Sequence, residues 1–166
     1  MTDEIDNYYD RPVDWSSGKP VASLAQDDDA ENRVKVRLEK LWGVTLHKFS
    51  RYDPMDFWVE IDEKFVGIIE VKRRRINSDT HPTAWLNFRK WVPLTLLGFN
   101  ANVDVLYVVA YDDAICWINL KDVDASFHKK GGTRQRVKSS TDIEPVIEIP
   151  ISKMERIEYD ENTGTA

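Results

Sequence analysis

The segment from residue 56 to residue 72 constrains the fold of this chain more than any other part of its sequence. Aromatic and β-branched residues alternate with polar ones over residues 57–61, and residues 65–69 form a short apolar run. The break at Asp62-Glu63-Lys64 suits a hairpin turn, so the pattern predicts two antiparallel strands. Because side chains alternate across a strand, Glu70 and Lys72 are expected to share one face of the second strand.

The register of this hairpin decides where Asp56 lies. A three-residue loop places Ile61 opposite Phe65, and the same register places Asp56 directly opposite Glu70. Cβ atoms of such a pair lie roughly 4.5 to 5.5 Å apart, where like charges are destabilising unless a cation lies between them. Hard cations such as Mg²⁺ favour carboxylate oxygens, so this register predicts a metal site of the kind that phosphodiesterases use. A loop one residue longer or shorter turns Asp56 to the opposite face, and Glu70 and Lys72 are then a charged strand end in solvent.

Glu31 is a further candidate residue of the site. It precedes a predicted amphipathic helix of about 14 residues, because apolar residues recur at helical spacing up to a glycine: Val34, Leu38, Leu41, Trp42 and Gly43. Glu31 lies on the apolar face of this helix, where a carboxylate is costly unless it is paired, capped or bound to metal. Asp28 and Glu31 also have the spacing of a capping box, which is the structural alternative.

The order of these elements resembles the PD-(D/E)xK nuclease superfamily, whose pattern is a helix bearing Glu, a hairpin bearing Asp and then Glu-x-Lys, a second helix and further strands. The matching residues are Glu31, Asp56, Glu70 and Lys72, and the resemblance covers residues 30–120. Residues 31–43 with the strand after them look especially like Holliday junction resolvases of the archaeal type and small phage-encoded nucleases. The chain has Asp-Pro-Met-Asp where the pattern has Pro-Asp, so Asp53 competes with Asp56 for the metal position.

The resemblance implies an α/β fold with a central mixed β-sheet flanked by helices, in the order α-β-β-β-α-β of restriction-endonuclease-like cores. It implies that Asp56, Glu70 and the Val71 carbonyl hold Mg²⁺ or Mn²⁺, that Lys72 positions the attacking water or offsets charge on the phosphate, and that Glu31 orients the water or shares a second metal ion. The expected activity is hydrolysis of DNA phosphodiester bonds by an endonuclease, with branched or recombining DNA as a candidate substrate, and small nucleases of this kind often act as homodimers. The alternative is an inactive member that binds nucleic acid or inhibits a DNA-binding protein.

The second half of the chain predicts the remaining core elements. Pro82 suits a first helical position, and a helix closed by Gly98 is expected to carry Trp85, Phe88 and Trp91, with a kink or early break at Pro93. Residues 103–110 and 114–120 read as a buried hairpin, residues 145–150 as one last strand, and residues 151–157 as a short closing element.

Basic residues form two further groups that suit a DNA backbone. Arg73, Arg74 and Arg75 follow the predicted catalytic strand, and Lys90 lies in the predicted second helix. Residues 126–141 contain two adjacent glycines, no acidic residue and five basic ones, and are expected to follow phosphates in a salt-sensitive way: Lys129, Lys130, Arg134, Arg136 and Lys138. The alternatives are a solvated polar helix face for Lys90 and a solvated surface loop for residues 126–141.

The charge distribution is compatible with a nucleic-acid ligand. The chain has a formal net charge of −6, but residues 1–31 contain nine acids and two bases, so residues 32–166 have a net charge of +1. We therefore expect an irregular acidic arm at 1–26, a nuclease-like domain at 27–159 and a frayed tail at 160–166. Cys116, the only cysteine, excludes an internal disulfide, and a location in the cytoplasm of a prokaryotic or phage-infected cell is the expectation.

Overall fold

The computed structural model describes residues 13–14, 19–50, 53–124, 129–131 and 144–159. For residues 13–14, 19–30, 129–131 and 144 it describes the backbone alone. Two α-helices and eleven strands follow one another within these described residues. They are β1 Val13–Asp14, β2 Lys19–Pro20, α1 Val21–Trp42, β3 Thr45–Lys48, β4 Phe57–Ile61, β5 Lys64–Arg73, β6 Thr83–Asn87, α2 Phe88–Ala101, β7 Asp104–Ala110, β8 Ala114–Asn119, β9 Lys129–Gly131, β10 Glu144–Pro150 and β11 Glu155–Glu158.

A six-stranded mixed sheet forms the centre of the molecule, in the strand order β11-β8-β7-β5-β4-β3. Only β5 and β7 pair in parallel, and α2 lies in the connection between them. β6, β10 and β9 form a separate antiparallel sheet, and β1 pairs with β2. The predicted α/β class, with a mixed sheet and flanking helices, is confirmed.

Two apolar layers cover the two faces of the six-stranded sheet. Val34 and Leu38 of α1 pack with Ile69 and Val108 on one face. On the other face, Leu94 of α2 and the inner residues of β6 and β10 pack against a group that includes Ile68, Tyr107 and Cys116. β5 is therefore covered on both sides, which explains why residues 67–71 are all buried.

The hairpin of β4 and β5 has the predicted register beside Asp56, although its loop is shorter than predicted. Its loop has two residues, Asp62 and Glu63, both with positive φ, as in a type I′ turn, so the predicted three-residue loop is wrong. The register then shifts by one residue between Val59 and Glu60, and Phe57 pairs with Ile69. The next position along the strands places Asp56 opposite Glu70, as the sequence predicts. The irregularity compensates for the shorter loop.

A close approach between strands explains a glycine beside this irregularity. A Cβ atom on Gly67 would lie 3.0 Å from the backbone oxygen of Asp104 in β7. A contact of 3.0 Å is shorter than nine in ten Cβ contacts in real structures. Glycine therefore lets the two parallel strands pair where the hairpin register shifts.

Three predicted helix boundaries are wrong. α1 begins at Val21 and has 22 residues, so it includes residues 21–26 of the predicted irregular arm. The predicted helix with Trp85 begins only at Phe88, because residues 83–87 form β6, where buried and less buried side chains alternate and the backbone pairs with β10. α2 continues through Pro93 and Gly98 to Ala101, and Asn102 in the left-handed conformation ends it.

The closing elements agree with the predictions. β7 and β8 form the expected hairpin, and β10 covers the predicted strand at residues 145–150. A short 3-10 helix at Ile151–Lys153 and strand β11, which pairs with β8, form the predicted closing element. Cys116 is fully buried.

Candidate active site

Asp56 and Glu70 meet where β5 approaches its carboxyl end. Glu70 is 7% exposed, and its side chain points to the α2 side of the sheet by strand alternation. Asp56 immediately precedes β4, and its Oδ2 accepts a hydrogen bond of 2.7 Å from the Val71 amide. Its backbone oxygen accepts from the Phe49 amide, which fixes the chain before β4. The structure therefore brings Asp56 to the backbone between Glu70 and Lys72.

The charge of Asp56 acts on the carboxyl of Glu70. Burial, and next the nearby charge of Asp56, raise the pKa of Glu70 to about 8, against the lowering effects of Lys90 and Lys72. Burial also raises the pKa of Asp56, although the hydrogen bond from Val71 and three lysine charges oppose this rise. A buried carboxyl and a partly buried one beside it need a cation to be ionised together.

Lys90 of α2 supplies one such cation. Its Nζ lies 2.9 Å from Oε1 and 3.1 Å from Oε2 of Glu70. It also donates a hydrogen bond of 2.7 Å to the Pro54 carbonyl, just before Asp56. The sequence pointed to DNA phosphate as the partner of Lys90 and did not predict its contact with Glu70.

Lys72 lies two residues beyond Glu70, on the same face of β5, and its side chain is exposed. Its positive charge lowers the pKa of both Asp56 and Glu70. A cation in this place can meet a substrate phosphate from the solvent side of the carboxylate pair.

Glu31 and Asp53 lie in different surroundings from the central pair. Glu31 Oε2 is 3.0 Å from Nζ of Lys48, and the charge of Lys48 lowers the pKa of Asp56, so Glu31 is linked to the pair through Lys48. Asp53 is exposed, and its Oδ2 accepts from the Ser50 amide, as in a turn. Of the two competing aspartates, Asp56 is the one beside Glu70.

The donor set fits a hard divalent cation. Asp56 and Glu70 offer carboxylate oxygens, the adjacent Val71 carbonyl is a third oxygen donor, and the pair needs positive charge because Glu70 is buried. Within the described ranges, no group of three or more His, Cys, Asp or Glu side chains could hold a metal ion. A metal ion here would therefore use two side chains and complete its coordination with backbone and water oxygens.

The sequence model of one protein family, described as a phage putative PDDEXK endonuclease, matches residues 18–157. The chain belongs to this family of phage PD-(D/E)xK endonucleases. The predicted superfamily is thereby confirmed, and nucleases of this superfamily generally use divalent metal ions. A comparison with curated proteins gave no match.

Among solved structures, the chain is similar to Hjc, a Holliday junction resolvase of the archaeal hyperthermophile Archaeoglobus fulgidus. The TM-score is 0.50 with 14% sequence identity, and the match covers 82% of this chain and 93% of that chain. At this identity the similarity establishes the restriction-endonuclease-like fold.

The basic residues that the sequence predicts to bind DNA in this PD-(D/E)xK endonuclease do not form one cluster among the described residues. Arg73 forms an ion pair with Asp112 and donates to the Ala110 carbonyl at 2.8 Å. Arg74 instead lines a cleft of about 450 Å³ together with His81, Trp85 and other residues, while Arg75 is exposed. Lys129 and Lys130 lie in β9, for which the structure describes the backbone alone. The other three residues, Arg134, Arg136 and Lys138, lie outside the described residues.

The sequence missed Lys48 as a part of the site, and it predicted Lys90 as a contact of DNA phosphate and not of Glu70. Leu46 of β3 is buried on the α1 side of the sheet, and Lys48, two residues later, lies on the same face of the strand. A strand prediction for residues 45–48 would therefore have placed Lys48 on the α1 side. Lys90 is 20 residues from Glu70, and only the packing of α2 against the sheet brings the two together. No spacing in the sequence signals that contact.

Proposed function

We propose that this endonuclease hydrolyses DNA with the help of Mg²⁺ or Mn²⁺. The observation that carries the proposal is the pair of opposed carboxylates, the buried Glu70 and the partly buried Asp56, with Lys72 on the same strand face as Glu70. Such a pair is destabilising in a protein that only binds its ligand, because each acid raises the free energy of ionising the other. The pair is useful where a divalent cation has to bind.

Each residue of the site has a chemical role in this proposal. Asp56, Glu70 and the Val71 carbonyl would hold the ion, which when bound supplies polarisation of the scissile phosphate and a lowered pKa for water. The Val71 amide keeps the Asp56 carboxylate in place through its hydrogen bond. Lys72 would orient the attacking water or stabilise negative charge that develops on the phosphate. Glu31 would orient the water or share a second metal ion, with Lys48 holding its carboxylate until then.

The DNA backbone would cross the face of the sheet that carries Lys72. Arg74 and Arg75 lie two and three residues beyond Lys72, and the cleft beside Arg74 contains aromatic residues that can contact unstacked bases. We propose that Arg73 and Lys90 also contribute positive charge near the phosphates. β9 and the segment after it would add further contacts through Lys129, Lys130, Arg134, Arg136 and Lys138. Such contacts give affinity that falls with salt and depends little on sequence.

Branched DNA is the substrate we propose first, because the structural neighbour Hjc is a Holliday junction resolvase. Cutting two strands of a junction needs two sites, so we propose a homodimer. α2 offers a surface for it, since Leu96 is 56% exposed and Phe99 is 84% exposed on that helix. No described helix is long and apolar enough to cross a membrane. We place the protein in the cytoplasm of a phage-infected cell.

Supercoiled plasmid tests the central part of the proposal, because only an endonuclease can cut a closed circle. We expect nicked or linear product with Mg²⁺ or Mn²⁺ and none with EDTA. Asp56→Asn should abolish cutting, whereas the exposed Asp53→Asn should retain it and serves as the matched control. Cutting by Asp56→Asn would contradict the assignment. A folded wild type that binds plasmid without cutting it would favour the inactive binding protein instead.

The dimer has its own test. Light scattering coupled to size exclusion should give the mass of two chains for the wild type and of one chain for Phe99→Glu, because a charge would be buried in the interface. Ser152→Glu, an equal change of charge at an exposed position of the 3-10 helix Ile151–Lys153, is the control. A dimer unchanged by Phe99→Glu would place the interface elsewhere.

A further inference from the structure

The contact between Lys90 and Glu70 has the geometry of a cation site. The ammonium lies within hydrogen-bond distance of both oxygens of one carboxylate, at 2.9 and 3.1 Å. Its third contact is the Pro54 carbonyl at 2.7 Å, in the segment that leads into Asp56. Three oxygen atoms from two chain segments therefore surround one positive charge.

A divalent metal ion at Glu70 would use these same carboxylate oxygens. Mg²⁺ binds its oxygen ligands at about 2.0 to 2.1 Å, whereas an ammonium lies at about 2.7 to 3.0 Å from a carboxylate oxygen. Both cations on the same carboxylate would lie within a few ångströms of each other, with little water between them because Glu70 is 7% exposed. Their repulsion at such a distance is strong. The two cations therefore exclude each other.

We propose that Lys90 occupies the cation position of the carboxylate pair in the metal-free protein and has to leave it before a metal ion binds. Lys90 is then a positioning residue that competes with metal, and this inference rests on the proposed metal-dependent function. Its side chain is 38% exposed, so an open path leads from Glu70 to solvent. After it leaves, the ammonium is available to a phosphate that enters with the substrate.

The place of Lys90 in α2 suits this exchange. It is the third residue of the helix, in the first turn, where the backbone amides carry partial positive charge. An ammonium is held there by its contacts with Glu70 and Pro54, against the helix dipole. A phosphate near the same helix end would be favoured by both the dipole and the ammonium.

Binding of Mn²⁺ tests the competition without relying on cleavage. Free Mn²⁺ can be measured by electron paramagnetic resonance, at pH 8.5 and without oxygen, in titrations of the full-length wild type and of Lys90→Met. We expect Lys90→Met to bind Mn²⁺ at least tenfold more tightly, because no ammonium has to be displaced. Lys72→Met removes a charge that also acts on Glu70 and should tighten binding less. Lys121→Met, whose lysine pairs with Asp104, should change nothing.

Thermal unfolding in EDTA adds a second measurement. Lys90→Met should melt at a lower temperature than the wild type, since Glu70 loses its counter-ion, and Mn²⁺ should raise its melting temperature by more than it raises that of the wild type. If Lys90→Met does not fold, Lys90→Gln replaces it, and the same tightening is expected. Lys90→Arg keeps the charge and should bind Mn²⁺ no more tightly than the wild type.

The outcomes separate this inference from the proposed function. Equal or weaker Mn²⁺ binding by Lys90→Met, together with metal-dependent cutting by the wild type, would overturn the competition and leave the nuclease in place. No Mn²⁺ binding by either protein would overturn both. Tighter binding by Lys90→Met without any cutting by the wild type would support the competition and contradict the nuclease.

Discussion

Replacing Glu70 with Gln should change how the stability of the metal-free protein depends on pH. The buried carboxyl has a pKa of about 8, above the ordinary value of 4.5, because burial and the neighbouring Asp56 both disfavour its charged form. Between these pH values the folded chain holds a proton that the unfolded chain has released. The stabilisation from this group is therefore complete below about pH 4.5 and is lost as the pH rises through about 8.

The magnitude follows from the two pKa values. One pH unit corresponds to about 1.4 kcal/mol, so a rise from 4.5 to about 8 gives a loss of about 5 kcal/mol as an upper limit. The value of about 8 already includes the effect of Lys90, and relaxation and water penetration around the charge reduce the figure further, so we expect a loss of about 2 to 4 kcal/mol. Glu70→Gln has the same shape and no ionisation, so it should lack this part of the pH dependence.

Urea unfolding in EDTA at pH 5, 6.5, 8 and 9 measures the effect. The free energy of unfolding of the wild type, minus that of Glu70→Gln, should fall steadily across this range. Glu155→Gln, at an exposed position of β11, is the control and should follow the wild type. A difference between wild type and Glu70→Gln that stays constant with pH would refute the reasoning, because Glu70 would then titrate as in the unfolded chain.

Three other predictions concern packing and the substrate. Gly98→Ala should destabilise the fold by about 1 to 3 kcal/mol in urea unfolding, because the new Cβ atom would lie 2.6 Å from a side-chain atom of Val105; an unchanged stability would contradict that packing. Arg74→Ala should weaken binding of labelled DNA severalfold in fluorescence anisotropy and lower its salt dependence, whereas Arg73→Ala, which removes an ion pair with Asp112, should change affinity less; the reverse order would contradict the proposed DNA path. Glu31→Gln should lower the single-turnover cleavage rate at least tenfold while the affinity for DNA stays the same, and an unchanged rate would limit Glu31 to its pairing with Lys48.

The hairpin shows how much of the site the sequence could predict. Alternation of side chains was enough to place Glu70 and Lys72 on one face, whereas the position of Asp56 opposite Glu70 was predicted from a three-residue loop that the structure does not have. The predicted loop length was wrong because Lys64 already pairs with Ile61. The predicted register is restored only by the irregularity between Val59 and Glu60. Such an irregularity depends on how β5 also pairs with β7, and a local pattern does not contain that information.

The predicted start of the second helix was wrong for a different reason. Trp85, Phe88 and Trp91 have helical spacing, but residues 83–87 also alternate as a strand does. The deciding interaction is the pairing of β6 with β10, more than 60 residues later in the chain. The position of Lys90 against Glu70 depends on the same tertiary packing, so the sequence identified the carboxylates and not the lysine that binds one of them.

Cleavage of a labelled DNA panel tests the central claim most directly. The panel contains linear duplex, single strand, flap and four-way junction, each incubated with Mg²⁺, Mn²⁺ or EDTA and with the wild type, Glu70→Ala or Lys72→Ala. We predict cutting by the wild type that requires metal, is fastest on branched DNA and is lost in both variants. Cutting that persists in both variants, or in EDTA, would contradict a metal-dependent site built on Glu70 and Lys72.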